Sequence, residues 1–312
     1  MEEPASINVT EFPFENTTFP DGYEDLLMKT NLTVKIYIEL YTILSLICVA
    51  CNIIIAFVII KYRRLRLDKS NIILLNWTIV NNLFMITSPI SQRLSTDWET
   101  YFAAYTFFCS LEQTQYCILL ANLLLVDLLL INWYLKVYHT VIYEKFVNYL
   151  NYILVAIYVP VIISTGVHVS SCFEYRLITS EVFLLISYLK FIVFMIAMNI
   201  VHLVKRRRLA PSTVTSNMPL YLVNTYFLSI CPLLLAIFSH LLLHDQLFSL
   251  IILIGGLILA VMNPIYFFII LYNFDKDYRT FFGHVFSSKC CEYKDDELQE
   301  EPVVFNGSVQ LG

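Results

Sequence analysis

Long apolar runs separated by short polar breaks dominate this chain. Seven of them, at 36–60, 71–92, 103–135, 147–169, 182–204, 219–243 and 247–272, meet the roughly 20 residues an α-helix needs to cross the hydrocarbon of a bilayer. They fill most of the sequence, and the expected fold class is all-α, a seven-transmembrane-helix bundle over 36–272. The breaks are too short to hold a soluble domain: one runs from about Lys205 to Met218 and the last is a few residues around His244 and Asp245. After the seventh run, "NFDKDYRTFFGHVFSSKCC" puts Phe274, Tyr278, Phe281, Phe282, Val285 and Phe286 at helical spacing with charges opposite. This predicts a short C-terminal amphipathic helix over 273–291, lying in the membrane interface. Residues 292–312 are polar and acidic and read as a disordered tail.

Composition agrees, since a chain that is 58% hydrophobic and only 14% charged would expose too much apolar surface as a soluble globule. Charge then sets the expected orientation. Lys61, Arg63, Arg64, Arg66, Lys69, Lys136, Lys145, Lys205, Arg206, Arg207 and Arg208 fall in the first, third and fifth connections, against Arg93 and Arg176 in the others. The positive-inside rule makes the first set cytoplasmic, with the N-terminus outside and the C-terminus inside. Three Asn-x-Ser/Thr sequons, at Asn8, Asn16 and Asn31, fall in the outer tail, 1–35, and are the expected glycosylation sites. No short apolar core with a basic flank precedes the first run, so the first helix is expected to act as its own insertion signal. The acidic outer tail and basic inner loops suit an inner leaflet of anionic lipid and give no reason to invoke nucleic acid.

The residues inside these runs resemble the rhodopsin-like G protein-coupled receptors. Asn52 in "VACNIIIAFVII" is similar to the marker Asn of the first helix. "NIILLNWTIVNNLFMITSPI" resembles the second-helix pattern, with Asn76 at its second Asn, Asn81 where an Asp is usual and Pro89 at the later Pro. Pro232 in "FLSICPLLL" matches the sixth-helix Pro. "NPIYFFIILYNF" is similar to Asn-Pro-x2-Tyr, with Asn263, Pro264 and then Phe267 in place of the Tyr. The resemblance implies a plasma-membrane receptor that converts an extracellular ligand, whose identity is unknown, into activation of a heterotrimeric G protein. It also implies a disulfide between Cys109, at the outer end of the third helix, and Cys172, in the second outer loop. Both thiols face the oxidising side, which permits the bond. Trp98 resembles the family's outer-loop Trp, and Cys290 and Cys291, after the amphipathic helix, are read as palmitoylated, with plain reduced thiols as the alternative.

The departures bear on mechanism. The fourth and fifth helices lack their marker Trp and Pro, and Ile230 stands where the sixth has a Trp. Asn132, Trp133 and Tyr134 stand in place of the family's Asp-Arg-Tyr, one residue closer to Cys109 than usual. Either the Cys has slipped or Trp133 is not the counterpart of the Arg. Asn132 cannot hold a guanidinium by an ion pair, and Trp133 offers one N–H in place of five donors and a charge, leaving Lys136 as the nearby cation. Asn81 removes the anion that would hold sodium between helices two, three and seven, and Asn81, Asn122 and Asn263 are expected to form a neutral hydrogen-bonded cluster there.

Ionisable residues inside membrane helices are functional candidates by default, and three stand out: Glu112 and Asp127 in the third run and Lys190 in the fifth. Glu112 and Lys190, with Gln115, are expected to line an outer ligand pocket. The competing expectation has Lys190 reaching the outer interface and Glu112 solvated. Asp127, in "LLLVDLLLIN", should face the bundle. No nucleotide motif, metal-ligand cluster or Ser/His/Asp set appears, so neither catalysis nor a cofactor is expected. A seven-helix transporter or channel using Glu112, Asp127 and Lys190 as pathway residues is the alternative from another class.

Overall fold

The computed structural model describes residues 23–97, 102–173, 180–206, 217–243 and 246–287, and every regular element among them is an α-helix. In chain order these are α1 (Tyr23–Lys61), α2 (Arg63–Leu67), α3 (Lys69–Asp97), α4 (Phe102–Tyr138), α5 (Thr140–Phe173), α6 (Ser180–Arg206), α7 (Met218–Leu243), α8 (Gln246–Val261), α9 (Asn263–Phe274) and α10 (Lys276–Phe286). The chain divides into two compact units, Met1–Leu40 and Tyr41–Gly312. Among the described residues, six helical stretches are long and apolar enough to cross a membrane: Leu32–Lys61, Lys69–Leu94, Thr106–Tyr138, Thr140–Phe173, Ile186–Lys205 and Ile254–Phe274. They make this a membrane-spanning chain, with α7 an additional 26-residue helix at the sixth predicted run.

Within the larger unit α4 is the hub and packs against α3, α5, α6 and α7, while α7 also packs on α8 and α9. The sequence of α4 suits that position, because Ala121, Leu123, Leu125, Val126, Leu128, Leu129, Leu130 and Trp133 are all buried. A helix apolar on every side belongs inside a bundle. The core around it holds Trp77 of α3, Phe191 of α6, Tyr226 of α7 and Phe267 of α9. By contrast α5 leaves Tyr149, Tyr152, Val155, Ile162 and Ile163 exposed, the composition of a face turned to lipid.

Three boundaries differ from the sequence reading. The first helix begins at Tyr23 rather than near residue 36, so the sequon at Asn31 lies on helical backbone. Cys172 sits in the last turn of α5 rather than in a loop. The seventh run is two helices, broken at Met262. Pro264 explains the break: it has no N–H to continue the ladder and occupies the first turn of α9, where that loss is harmless. The N–H groups of Ile265 and Tyr266 both return to the Met262 carbonyl, at 3.0 and 3.2 Å.

The amphipathic helix is α10, shorter than 273–291 and docked on protein as well as facing outward. Asp275 caps it, accepting from the Asp277 and Tyr278 N–H groups at 2.9 and 3.1 Å. Tyr278, Phe281 and Phe282 are buried, with Phe281 stacked on Tyr62 at 4.0 Å and Phe282 against Phe268 at 4.5 Å. Phe274 and Phe286 stay exposed and are left to meet lipid.

Candidate functional site

The chemistry of the chain lies along α4, and its two ends are held differently. At one end Cys109 and Cys172 are joined in a disulfide, with Cα atoms 5.9 Å apart, tying the start of α4 to the end of α5. One turn further along α4, Glu112 accepts from the Tyr116 hydroxyl at 3.2 Å. Gln115 donates to the Thr87 carbonyl of α3 at 2.9 Å, so this pocket candidate is engaged in holding two helices together.

At mid-length Asp127, almost fully buried, pairs with Lys190 of α6 at 3.3 Å. That pairing separates the two expected pocket charges. Glu112 lies fifteen residues from Asp127 on the same helix, about 22 Å at 1.5 Å per residue, well beyond the reach of an ammonium held at Asp127. Lys190 therefore works with Asp127, which the sequence had set facing the bundle, and the structure does not bring Glu112 and Lys190 together.

The expected cluster of Asn81, Asn122 and Asn263 does not close by direct hydrogen bonds. Asn263 instead accepts from the Ser229 hydroxyl of α7 at 2.6 Å and donates to the Ala260 carbonyl at 2.8 Å. This ties the α8–α9 break to α7 one turn from Pro232. Among the described residues, both amide atoms of Asn52, the Asn81 nitrogen and the Asn122 oxygen are buried without a hydrogen-bond partner. Phe267 needs no polar partner: it stacks on Trp77 at 4.4 Å, and Trp77 in turn meets Tyr226 edge-on at 5.9 Å. Sequence reasoning passed over Trp77 and Ser229. Trp77 directly follows Asn76, which accepts from the Tyr158 hydroxyl at 3.0 Å, and that adjacency was the available signal.

The far end of α4 carries Asn132, Trp133 and Tyr134, and each serves a different neighbour. Asn132 is fully buried and donates to the Ser70 hydroxyl of α3 at 2.8 Å. Trp133 is also buried, its ring edge-on to His202 of α6 at 5.1 Å. Tyr134 accepts from the Lys205 ammonium at 3.0 Å, and that ammonium lies over the rings of Tyr134 and Tyr138 at 5.0 and 4.9 Å. His139 faces the same ammonium at 3.4 Å, and Tyr138 bonds His202 at 2.6 Å. Lys136, the cation expected to stand in for the missing Arg, is paired with Asp68 at 2.9 Å, and Asp68 also accepts from the Ser70 N–H at 3.0 Å.

Next to this end, Tyr278 donates to Asn71 at 2.9 Å and Arg64 pairs with Asp277 at 3.1 Å, linking α10 to α3 and α2. Burial pushes the Asp275 carboxyl above the usual carboxylate range, outweighing its two amide donors. No group of His, Cys, Asp and Glu capable of holding a metal occurs among the described residues. Asn8, Asn16, Trp98, Cys290 and Cys291 lie outside the described residues. Neither family models nor curated protein sequences match this chain.

Proposed function

We propose that this chain is a divergent seven-helix receptor of the rhodopsin-like type, with α7 as the seventh span, the N-terminus outside and the basic end of α4 in the cytoplasm. The observation that carries the proposal is the triple tethering of α4: a disulfide at one end, an ion pair to α6 at mid-depth, and a polar and aromatic clamp to α3 and α6 at the other. A helix fixed at its outer end and held by weak, reversible contacts at its inner end suits a bundle with two arrangements, one of which a ligand can favour. Pro232, inside α7, and the break before Pro264 supply places to bend. In this reading a heterotrimeric G protein meets the inner ends of α4, α6 and α7, which hold no Asp-Arg pair.

The Asp127–Lys190 pair also favours a second reading, transport or conduction, since charges at membrane depth mark ion pathways. One experiment separates the two. Full-length chain in proteoliposomes with purified G proteins is assayed for nucleotide exchange and, in parallel, for ion flux across a ligand panel. Exchange without flux is the expected result. Flux that Asp127→Ala abolishes, with no exchange under any condition, would overturn the receptor reading.

A further inference from the structure

Lys190 places an ammonium on a surface otherwise made for hydrocarbon. Its side chain is 62% exposed, and Ile186 and Val193, one turn before and after it on the same face of α6, are exposed as well. An ammonium carries three N–H donors. Among the described residues its partner is the single carboxylate oxygen of Asp127, which leaves donors on the apolar side.

The direction of the side chain is as informative as its partner. Lys205 touches Tyr134 and Tyr138, which aligns α6 with α4 at their basic ends. From that level Lys190 lies fifteen residues, about 22 Å, toward the disulfide end, whereas Asp127 lies only seven to eleven residues, about 10–16 Å. The Lys190 side chain therefore runs deeper to reach its carboxylate. Helical side chains lean toward their own N-terminus, which for α6 is the opposite way, toward the disulfide end. Taking about 30 Å of hydrocarbon from Lys205 leaves Lys190 roughly 8 Å inside the other boundary, within the reach of a snorkelling lysine.

We propose that Lys190 is a two-position anion site: in one position it holds Asp127, and in the other it holds the carboxylate or phosphate headgroup of an amphiphile approaching along the lipid-facing side of α6. The strip of Ile186 and Val193 takes the apolar tail and the ammonium takes the head. The ligand competes with Asp127, so its binding frees α6 from α4 at this depth. Its consequence for signalling rests on the receptor reading above; the binding does not.

The test uses the full chain in phosphatidylcholine nanodiscs and a photoreactive palmitate analogue, with peptide mapping of the labelled segment. Labelling is expected on α6, competed by palmitate or by phosphatidic acid and not by palmitate methyl ester. Competition by palmitate and not by phosphatidic acid assigns a free carboxylate amphiphile, and competition by phosphatidic acid at lower concentration than palmitate assigns a lipid headgroup. Lys190→Gln should weaken binding about tenfold, whereas Asp127→Asn, which removes the competing carboxylate, should tighten it. The double variant Lys190→Gln, Asp127→Asn leaves no uncompensated charge and should fold and bind about as weakly as Lys190→Gln. Equal competition by the methyl ester, labelling unchanged by Lys190→Gln, or weaker binding in folded Asp127→Asn would overturn the site. Binding without nucleotide exchange would keep this site and remove the receptor reading, and exchange without anion-dependent binding would do the reverse.

Discussion

Removing one oxygen from Tyr278 tests whether α10 is docked by a specific buried bond or merely rests on the bundle. The Tyr278 ring is fully buried, and its hydroxyl donates to the Asn71 side-chain oxygen at 2.9 Å across 207 residues of sequence. Asn71 is itself buried, and its nitrogen donates to the Leu65 carbonyl at 3.0 Å. Tyr278→Phe keeps the ring packing and strands one buried acceptor, which costs about 1–3 kcal/mol. Asn71→Ala costs more, because it strands the buried Tyr278 hydroxyl and also removes one of the two donors to the Leu65 carbonyl, which keeps the Asp68 N–H at 3.2 Å. The double variant should then be less destabilised than the sum of the two, with a coupling of about 1 kcal/mol. Phe281→Ala, which empties the space stacked on Tyr62 at 4.0 Å, should cost about 3–5 kcal/mol. Phe286→Ala, exposed on the same helix, should stay within about 0.5 kcal/mol. Reversible unfolding of the purified chain in mixed detergent micelles measures all five. Strict additivity of Tyr278→Phe and Asn71→Ala, or equal effects of Phe281→Ala and Phe286→Ala, would refute specific docking.

Three further outcomes follow from the same geometry. Burial raises the Asp275 carboxyl, so its stabilising contribution is complete below the ordinary aspartate range and is lost as pH rises through the raised folded value. Asp275→Asn, which still caps the helix, should raise the thermal midpoint at neutral pH, with the gain closing as pH falls; an offset constant with pH would contradict this. Ser229→Ala removes the 2.6 Å bond to Asn263 and should destabilise by about 0.6–1.7 kcal/mol in the micelle assay, whereas an unchanged stability would mean that the break needs no tie to α7. Trp133→Arg would bury a guanidinium where an indole now packs against His202. It should reduce folded yield by size-exclusion chromatography, and a fully folded, more active variant would show that Trp133 is a displaced Arg.

The sequence made the membrane character, the amphipathic helix and the disulfide legible, for identifiable reasons. Apolar length is a one-dimensional signal, and the aromatic spacing of Tyr278, Phe281 and Phe282 repeats at helical period. Cys109 and Cys172 came from resemblance, and the structure bonds them. Pairings between helices were not legible. Lys190 lies 63 positions from Asp127, and nothing in either neighbourhood favours Asp127 over Glu112, since both sit on one helix and both are acids. Depth decides, and depth depends on how α6 registers against α4. The break at Met262 was foreshadowed by Pro264, yet hydropathy runs straight across it, because a helix break changes backbone geometry and leaves composition untouched.

The clamp at the basic end bears on how Asn132, Trp133 and Tyr134 are read under the proposed receptor resemblance. An Asp-Arg pair holds charge within one helix, whereas here Lys136 reaches to Asp68 at the α2–α3 junction and Lys205 reaches in from α6, and Asn132, Trp133 and Tyr134 supply their setting. Lys205 rests on two rings, each cation–π contact contributing about 0.5–1 kcal/mol at a partly exposed site. Its hydroxyl contact adds a comparable amount, so the α4–α6 tie is worth on the order of 1–3 kcal/mol. In the proposed receptor, that would match the coupling a ligand can supply between two arrangements of a bundle. A much stronger tie would hold one arrangement against any ligand, and a much weaker one would hold neither. Trp133 fits this account as packing that keeps Tyr138 and His202 in register beneath the ammonium. Release of α6 from this end then requires loss of an aromatic cage, whereas release from Asp68 breaks an ion pair, so the α4–α6 contact should be the less salt-dependent of the two.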